Sequence, residues 1–333
     1  MIKFNNIEIR YGDFIAVPEL NLEVKEGEFF TLLGPSGCGK TTTLRALAGF
    51  IQPSKGNIEI DGKDITNTNL EDRQIGMVFQ SYALFPSMTA YENIAFGLKV
   101  EKRSKSYIDK RVKEVAKMVD LSDEQLSKNV ANMSGGQQQR VAIARALAKK
   151  PKILVMDEPL SNLDAKLRKS LRKDIKEFQS KYGITTVYVT HDQEEALMLS
   201  DRIAVFNKGV IDQVGTPDEI YNKSETEFVC NFIGEANIFS IDHLKNFNLI
   251  EDGDASKNYY VRPEKILFYK EVIDKPSFKA EIIGKEFYGM YGYYILKADE
   301  CEFISFQKEA RADDYLEGMI VNVVIDPKHI LSF

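Results

Sequence analysis

The feature that most constrains this chain is the loop Gly34-Pro-Ser-Gly-Cys-Gly-Lys40-Thr41, which follows an apolar strand-like run and precedes a helical run. It matches the pattern G-x-x-x-x-G-K-[ST], in which glycines let successive backbone N–H groups point at phosphate oxygens. The N-terminus of the following helix adds the positive end of its dipole. Lys40 is placed to reach the β- and γ-phosphates, and the Thr41 hydroxyl can ligate Mg²⁺. The loop therefore predicts a nucleotide-binding domain. The stretch 207–210 lacks the Asp of a guanine-reading motif, which favours ATP over GTP.

Apolar runs alternate with helical patterns through the first two-thirds of the chain. The runs at 29–33, 153–156 and 186–189 are strand-like, whereas apolar residues between 165 and 181 recur at spacings of three and four. That spacing marks one face of a helix, and strands that are apolar throughout are typical of a parallel sheet covered on both faces. The predicted fold class is therefore α/β with a mainly parallel sheet.

The last 99 residues have a different character. They hold 18 acidic and 12 basic residues, so they account for the whole net charge of −6, and they contain 16 of the 35 Phe and Tyr residues. Short alternating stretches, as at 291–295 and 321–325, favour a small β-barrel or sandwich. We therefore expect one domain over residues 1–234 and a second over residues 235–333.

Composition excludes several classes of protein. The negative net charge argues against nucleic acid as the main partner, because phosphate binding needs clustered positive charge. No apolar run approaches the roughly 18 residues that span a bilayer, and the N-terminal sequence lacks the apolar region of a signal peptide. Cys38, Cys230 and Cys301 are too scattered for a disulfide framework or a zinc site. We expect a cytoplasmic protein without a transmembrane segment.

Several polar residues follow predicted strands, at the sheet edge where α/β proteins bind ligands. Asp157 and Glu158 end the apolar run at 153–156, and Gln80 and His191 end two further strand-like runs. Asp157 suits the Mg²⁺ shell, and Glu158 suits a general base that polarises the attacking water. The amide of Gln80 can bind metal and water, and His191 could contact the γ-phosphate. A strand followed by an acidic turn is an ordinary alternative, which the neighbouring phosphate loop makes the weaker interpretation.

A second helix start is suited to an anion. Ser134 is a plausible N-cap, and the following Gly135 and Gly136 leave backbone N–H groups open. Such a site is redundant in a monomer with one phosphate loop, but it makes sense if two copies pair head to tail. The alternative is an ordinary capped helix.

Taken in order, these motifs resemble those of the ATP-binding subunits of ABC transporters over about residues 1–240. The resemblance implies a P-loop ABC ATPase domain with a helical subdomain at about 87–150, a D-loop at 161–164, and ATP and Mg²⁺ as cofactors. It implies these nucleotide-binding residues: Tyr11, which stacks on adenine, Gly34, Pro35, Ser36, Gly37, Cys38, Gly39, Lys40, Thr41, Thr42, Gln80, Ser134, Gly135, Gly136, Gln137 and Asp164. The catalytic residues it implies are Glu158, His191, Gln80 and Lys40, and the metal ligands are Thr41, Gln80 and Asp157.

Three further stretches, 78–86, 190–196 and 215–217, look like those of importer ATPases that serve maltose, spermidine/putrescine, sulfate and ferric iron. In those proteins an OB-like, TOBE-type regulatory domain follows, with a V-R-P-E motif that stands here at 261–264. The resemblance implies a homodimer at the cytoplasmic face of the membrane, bound to permease subunits and served indirectly by an extracytoplasmic solute-binding protein. It also implies that the segment 80–96 forms the permease-docking groove, where Tyr82, Leu84, Phe85, Met88 and Tyr91 are apolar; the alternative is that they belong to a subdomain core.

Two other functions fit the sequence less well. A soluble ABC ATPase of translation or DNA repair typically carries two nucleotide domains or a long coiled coil, and neither pattern occurs in this sequence. A nucleic-acid-binding OB module is opposed by the negative charge of the last 99 residues. As the transported solute, the sequence favours a polyamine or ferric iron and does not decide between them.

Overall fold

The computed structural model describes residues 1–272, 274–289, 291–308 and 315–333. The chain divides into two compact units, Met1–Pro217 and Asp218–Phe333. A division by compactness does not define where a functional domain ends, so the boundary expected at Gly234 stays a prediction.

The first unit contains two sheets and seven helices among its described elements. Its strands are β1 (Ile2–Tyr11), β2 (Phe14–Val24), β3 (Phe29–Leu33), β4 (Lys55–Ile60), β5 (Lys63–Asp64), β6 (Ile75–Val78), β7 (Ile153–Asp157), β8 (Thr185–Thr190), β9 (Arg202–Asn207) and β10 (Val210–Gly215). Its helices are α1 (Lys40–Ala48), α2 (Ala90–Val100), α3 (Lys105–Met118), α4 (Asp123–Ser127), α5 (Gly135–Ala148), α6 (Ala165–Tyr182) and α7 (Gln193–Leu199).

The larger sheet has the strand order β10-β9-β3-β8-β7-β6, in which only the β10–β9 pair is antiparallel. Every residue of β3, β7 and β8 is buried, which explains why these segments read as apolar runs without alternation. The mainly parallel sheet predicted from the sequence is confirmed. The smaller sheet, β2-β1-β4-β5, is antiparallel throughout.

The predicted helix over 165–181 is also confirmed, as α6. Its residues Leu171, Ile175 and Phe178 are buried at the spacing that the sequence showed. Helices α2 to α5 share one apolar core, to which Ile94, Val112 and Val141 contribute. None of the described helices is long and apolar enough to cross a membrane.

The second unit is built mainly from antiparallel strands. These are β11 (Asn237–Phe239), β12 (Tyr259–Val261), β13 (Ile266–Tyr269), β14 (Phe278–Phe287), β15 (Tyr291–Ala298), β16 (Cys301–Lys308), β17 (Ile320–Ile325) and β18 (Leu331–Ser332). Its short helices are α8 (Pro217–Asn222), α9 (Glu227–Ile233) and α10 (Ile241–Asn246).

The five-stranded sheet of this unit, β13-β17-β14-β15-β16, curls until its edge strands approach each other. The hydroxyl of Ser305 on β16 donates to the carbonyl of Ile266 on β13 over 2.6 Å. This nearly closed barrel agrees with the OB-like expectation. Val321 and Val323 face the core as their alternation suggests, but in β15 the core residues are Tyr294 and Leu296, not the set that starts at Tyr291.

Candidate functional site

The turn between β3 and α1 leaves the first N–H groups of α1 without a side-chain cap. The N-cap is Gly39 with φ +100°, and the first turn of α1 contains no acidic residue. A helix start of this kind directs unpaired N–H groups and a positive dipole end toward an anion. A Cβ at Gly34 would come within 2.4 Å of the Phe206 carbonyl oxygen, so only glycine fits where the loop leaves the strand.

The ammonium of Lys40 lies inside this loop. The residue is 4% exposed, and its Nζ donates to the carbonyls of Gly34 and Pro35 over 2.8 and 2.7 Å. Among the described residues it forms no ion pair with a carboxylate. A buried positive charge without a neutralising partner creates a field that attracts a phosphate group.

Thr41 and Asp157 meet although 116 positions separate them in the sequence. The Thr41 hydroxyl donates to Oδ1 of Asp157 over 2.8 Å. Burial raises the pKa of the Asp157 carboxyl, and the hydrogen bond from Thr41 opposes that shift. A hydroxyl and a carboxylate beside a phosphate loop are the hard oxygen donors that Mg²⁺ takes together with phosphate oxygens, so these two residues fit the metal. Gln80, the third predicted ligand, has no hydrogen bond to either of them.

Glu158 occupies a strained backbone position at the end of β7. Its φ of +45° is uncommon for a residue with a Cβ, and such strain concentrates at functional sites. Its Oε2 lies 3.1 Å from Nδ1 of His191 and accepts from Nε2 of Gln80 over 3.4 Å. An ionised carboxylate only accepts, so this contact is a hydrogen bond in the tautomer that carries the proton on Nδ1 of His191. The structure therefore brings together the three polar residues that the sequence placed at separate strand ends.

The phosphate loop borders a cavity of about 200 Å³. Its lining is Tyr11, Phe14, Ala16, Ser36, Gly37, Cys38, Gly39, Lys40, Thr41, Thr42 and Glu158. Gly34 and Pro35 are not in this lining; their carbonyls bind Lys40 instead. Phe14 and Ala16 were not predicted from the sequence. Their one signal there is closeness to Tyr11, which they follow by three and five residues, at the start of the next strand.

Ser134 caps α5 as predicted. Its side chain accepts from the Gln137 N–H while the Gln137 side chain accepts from the Ser134 N–H. The two glycines that follow also serve packing, because a Cβ at Gly135 would come within 2.8 Å of Leu163 and one at Gly136 within 3.0 Å of Leu167. None of these predicted nucleotide-binding residues lines the cavity at Lys40 within one copy.

Asp164 caps α6, where its Oδ1 accepts from the Leu167 N–H over 2.9 Å. It too lies outside the cavity lining. The residues just before it tie the neighbouring loops together: Asn162 donates to the Gln80 carbonyl over 3.0 Å, and the Ser161 hydroxyl donates to the Glu158 carbonyl over 2.9 Å.

The segment 80–96 is only in part an exposed apolar surface. Tyr82 is buried, and Leu84 and Tyr91 pack against the core of the helical region, so the subdomain-core alternative holds for these three. Phe96 is exposed and contributes to an open groove of about 360 Å³. The groove is lined by Met88, Glu92, Phe96, Lys99 and Val100.

The V-R-P-E stretch of the second unit has a structural role. Arg262 is buried and donates to the carbonyls of Gly234, Glu235 and Tyr221, and its guanidinium lies 4.5 Å from the centre of the Tyr221 ring. Over the described parts of the chain, no group of three or more His, Cys, Asp or Glu could hold a metal ion.

Comparisons with known proteins identify the family of the chain. A model of the ABC transporter family matches residues 17–161. A spermidine/putrescine import ATP-binding protein of Clostridioides difficile is 46% identical over 303 residues, which cover 87% of this chain and 86% of the relative. An Fe(3+) ions import ATP-binding protein of Fusobacterium nucleatum is 44% identical over 328 residues, covering 95% and 88%. A trehalose/maltose import ATP-binding protein of Thermococcus litoralis is 52% identical over 249 residues, covering 73% and 66%.

Solved structures show the same fold over about two thirds of the chain. A dimeric ATP-binding cassette in a post-hydrolysis state, bound to ADP and phosphate, superimposes with a TM-score of 0.58 at 35% identity, covering 65% of this chain and 99% of that one. A subunit of an ABC transporter complex from Clostridium perfringens gives a TM-score of 0.61 at 32% identity, covering 66% and 89%.

Proposed function

Because this chain belongs to the ATP-binding subunits of ABC transporters, we propose that it hydrolyses ATP at the Lys40 loop and that this reaction drives a solute importer. The observation that carries the proposal is that Glu158, whose carboxylate contacts His191, lines the same cavity as an uncapped phosphate loop. The resulting reaction is transfer of the γ-phosphoryl group to water.

The loop binds the triphosphate. Lys40 and the first N–H groups of α1 supply the positive charge, and Tyr11 and Phe14 border the same cavity with aromatic rings that can pack against adenine. Binding exchanges the two neutral carbonyl acceptors of Lys40 for negatively charged phosphate oxygens, so that both donor and acceptor are charged and the hydrogen bonds become stronger.

Glu158 acts as the general base on the attacking water. His191 and Gln80 both contact its Oε2 atom, so the carboxylate and the water it accepts a proton from are oriented before reaction. The Nε2 of His191, which does not bind Glu158, remains to contact the γ-phosphate.

Thr41 and Asp157 would hold Mg²⁺, with Gln80 as a third contributor. When bound, the metal neutralises charge on the β- and γ-phosphate oxygens. The raised pKa of the Asp157 carboxyl agrees with a group that is buried without a full cationic partner of its own.

A second copy of the chain completes each site. Ser134, Gly135, Gly136, Gln137 and Asp164 lie outside the cavity of their own copy, which is expected if they face the nucleotide of a partner in a head-to-tail homodimer. Two ATP molecules would then be held between the copies, and hydrolysis would let the pair reopen. The similarity to a dimeric cassette supports this arrangement.

The dimer would drive a membrane permease that docks at the open groove around Met88 and Phe96. Ferric iron and polyamines are the leading solutes, delivered by an extracytoplasmic solute-binding protein, and the subunit would act at the cytoplasmic face of the membrane. The similarity of the chain to polyamine, iron and sugar importer subunits alike leaves the solute to experiment.

The test is co-purification of tagged Glu158→Gln protein with ATP and Mg²⁺ from detergent-solubilised membranes of the native host. We expect permease chains to co-elute, and the binding protein encoded with them then identifies the solute. Recovery of soluble partners alone, such as ribosomal proteins, would leave the ATPase chemistry standing and reject the importer in favour of a soluble ABC ATPase.

A further inference from the structure

Two arginines of α6 hold the residue that follows His191. Arg168 and Arg172 both donate to Oδ2 of Asp192, over 3.1 and 2.9 Å. The other carboxylate oxygen of Asp192 accepts from the Glu195 N–H over 3.1 Å and so caps α7. Asp192 therefore starts one helix while it is anchored to another.

Arg168 makes a second contact that reaches a different loop. Its Nη2 donates over 3.1 Å to the carbonyl of Leu163, the residue directly before Asp164. One planar guanidinium thus joins the loop that ends in Asp164 to the loop that contains His191. A planar group with donors in a fixed fork determines the geometry of both acceptors at once.

The buried part of the network makes this anchor rigid. Arg172 is buried, donates to Glu194 over 2.8 Å and lies 3.8 Å from Glu195. Glu195, also buried, accepts from the hydroxyls of Tyr188 and Thr190. Paired charges in a low-dielectric interior hold one arrangement, and removing one partner is strongly destabilising. Arg172 is therefore an unsuitable residue to vary, whereas Arg168 lies nearer the surface.

We propose that Arg168 and Asp192 are positioning residues that hold His191 against Glu158 and fix the His191 loop to the loop of Asp164. The inference rests on the proposed catalytic role of His191. Its ring is half exposed, and within the described part of the chain Glu158 is its one hydrogen-bond partner. The place of the ring is therefore set mainly by its backbone, which Asp192 anchors.

The first measurement is steady-state hydrolysis by the full-length chain carrying Arg168→Met, which keeps an unbranched apolar stem but removes the guanidinium and its donors. We expect kcat to fall about 10- to 100-fold, because a misplacement of about 1 Å at a reacting group has an effect of that order. The dissociation constant for ATP should be unchanged, since Arg168 contacts no residue of the phosphate loop. The matched control is Lys173→Met, which removes an exposed ion pair with Glu177 on the same helix and should leave kcat unchanged.

The second measurement follows the His191 ring itself. The chain has three histidines, so a ¹H–¹³C NMR spectrum contains three histidine Cε1–Hε1 signals, and His191→Ala identifies the one of interest. Arg168→Met should displace the His191 signal and leave those of His243 and His329 in place. A merely structural role for Arg168 would lower stability without moving that signal, and this result would overturn the inference.

Asp192→Asn keeps the proposal testable if Arg168→Met does not fold. Asn is a good N-cap, so α7 is retained while the charge that attracts Arg168 is lost, and the same two effects are expected. Wild-type turnover, or an unmoved His191 signal, in the folded variants rejects the positioning role. If the His191→Ala variant hydrolyses ATP at the wild-type rate, the proposed catalytic role of His191 is rejected. That result is distinguishable from rejection of the positioning role of Arg168 and Asp192 alone.

Discussion

Both units of the chain bury polar side chains, but these side chains can serve different purposes. In the first unit, Lys40 and Glu158 border a cavity, and Asp157 lies one hydrogen bond behind it. In the second unit, the buried side chains of Arg262 and Asn237 bind backbone groups of their own unit. Burial of a polar group alone therefore does not indicate a site. What distinguishes Lys40 is that its buried charge borders a space which a ligand can enter.

The largest expected effect is that of Glu158→Gln on hydrolysis. Loss of a general base lowers the rate by about 10²- to 10⁴-fold, while the phosphate loop, which Glu158 does not form, keeps its affinity for ATP. Phosphate release and nucleotide titration measure the two quantities. Glu177→Gln, an exposed acid on α6, serves as the control. A variant that still turns over would show that another group activates the water.

Leu296→Ala tests the second unit, in which buried side chains stabilise the barrel. Leu296 is fully buried in the barrel, so its truncation should lower the free energy of unfolding by about 2–5 kcal/mol. The affinity for ATP should not change. Urea denaturation followed by circular dichroism gives the first quantity, because the chain contains no Trp for fluorescence. The control is Ile320→Ala, at an exposed position of the same barrel. Lost ATP binding in the Leu296 variant would contradict the division of roles.

Lys40→Ala should weaken ATP binding by about 10- to 100-fold, which corresponds to the loss of about 1.5–3 kcal/mol from hydrogen bonds to charged phosphate. The fold should persist, since the contacts of Lys40 within the protein are with the loop that it serves and not with the sheet. Equilibrium titration checks the affinity, with the exposed Lys63→Ala as control. An unchanged dissociation constant would remove Lys40 from the phosphate site.

The smallest effect concerns Tyr293. Burial, together with its hydrogen bond to Glu235, raises the pKa of Tyr293 from 10.0 to about 12. The folded chain keeps this proton to a higher pH than the unfolded chain, so the stabilisation is present below pH 10 and is lost as the pH rises toward 12. Tyr293→Phe should therefore make the alkaline fall in the urea midpoint shallower, and Tyr107→Phe should not. Identical alkaline slopes would contradict the assignment.

The sequence predicted what depends on local pattern. The strand–loop–helix at Lys40 and the buried strand before Asp157 are each encoded within about twenty residues, as is the helical face of α6. The structure adds contacts between distant segments. The pair Thr41–Asp157 and the bridge from Leu163 through Arg168 to Asp192 depend on which strands become neighbours, and no local spacing encodes that.

The local sequence pattern also does not predict which residues after Gln80 are buried. Tyr82 and Phe96 are both large and apolar, yet one lies in a core and the other is exposed. Tyr82 is placed by distant contacts: Arg145 donates to the carbonyls of Tyr82 and Ala83 across more than sixty positions. A sequence pattern alone cannot order such residues by exposure.

The close approach of Gly135 to Leu163 has a consequence for how this protein can drift in evolution. Any side chain at Gly135 would need Leu163 to retreat, because a Cβ there would lie 2.8 Å from its Cδ2 atom. Because that atom is the far end of a flexible side chain, Gly135→Ala can be accommodated sterically if Leu163 shifts, and Leu163→Ala would remove the need for that shift. The two positions are therefore coupled: a lineage that shortens the leucine first meets no steric cost at the glycine, whereas the reverse order of mutation requires Leu163 to move.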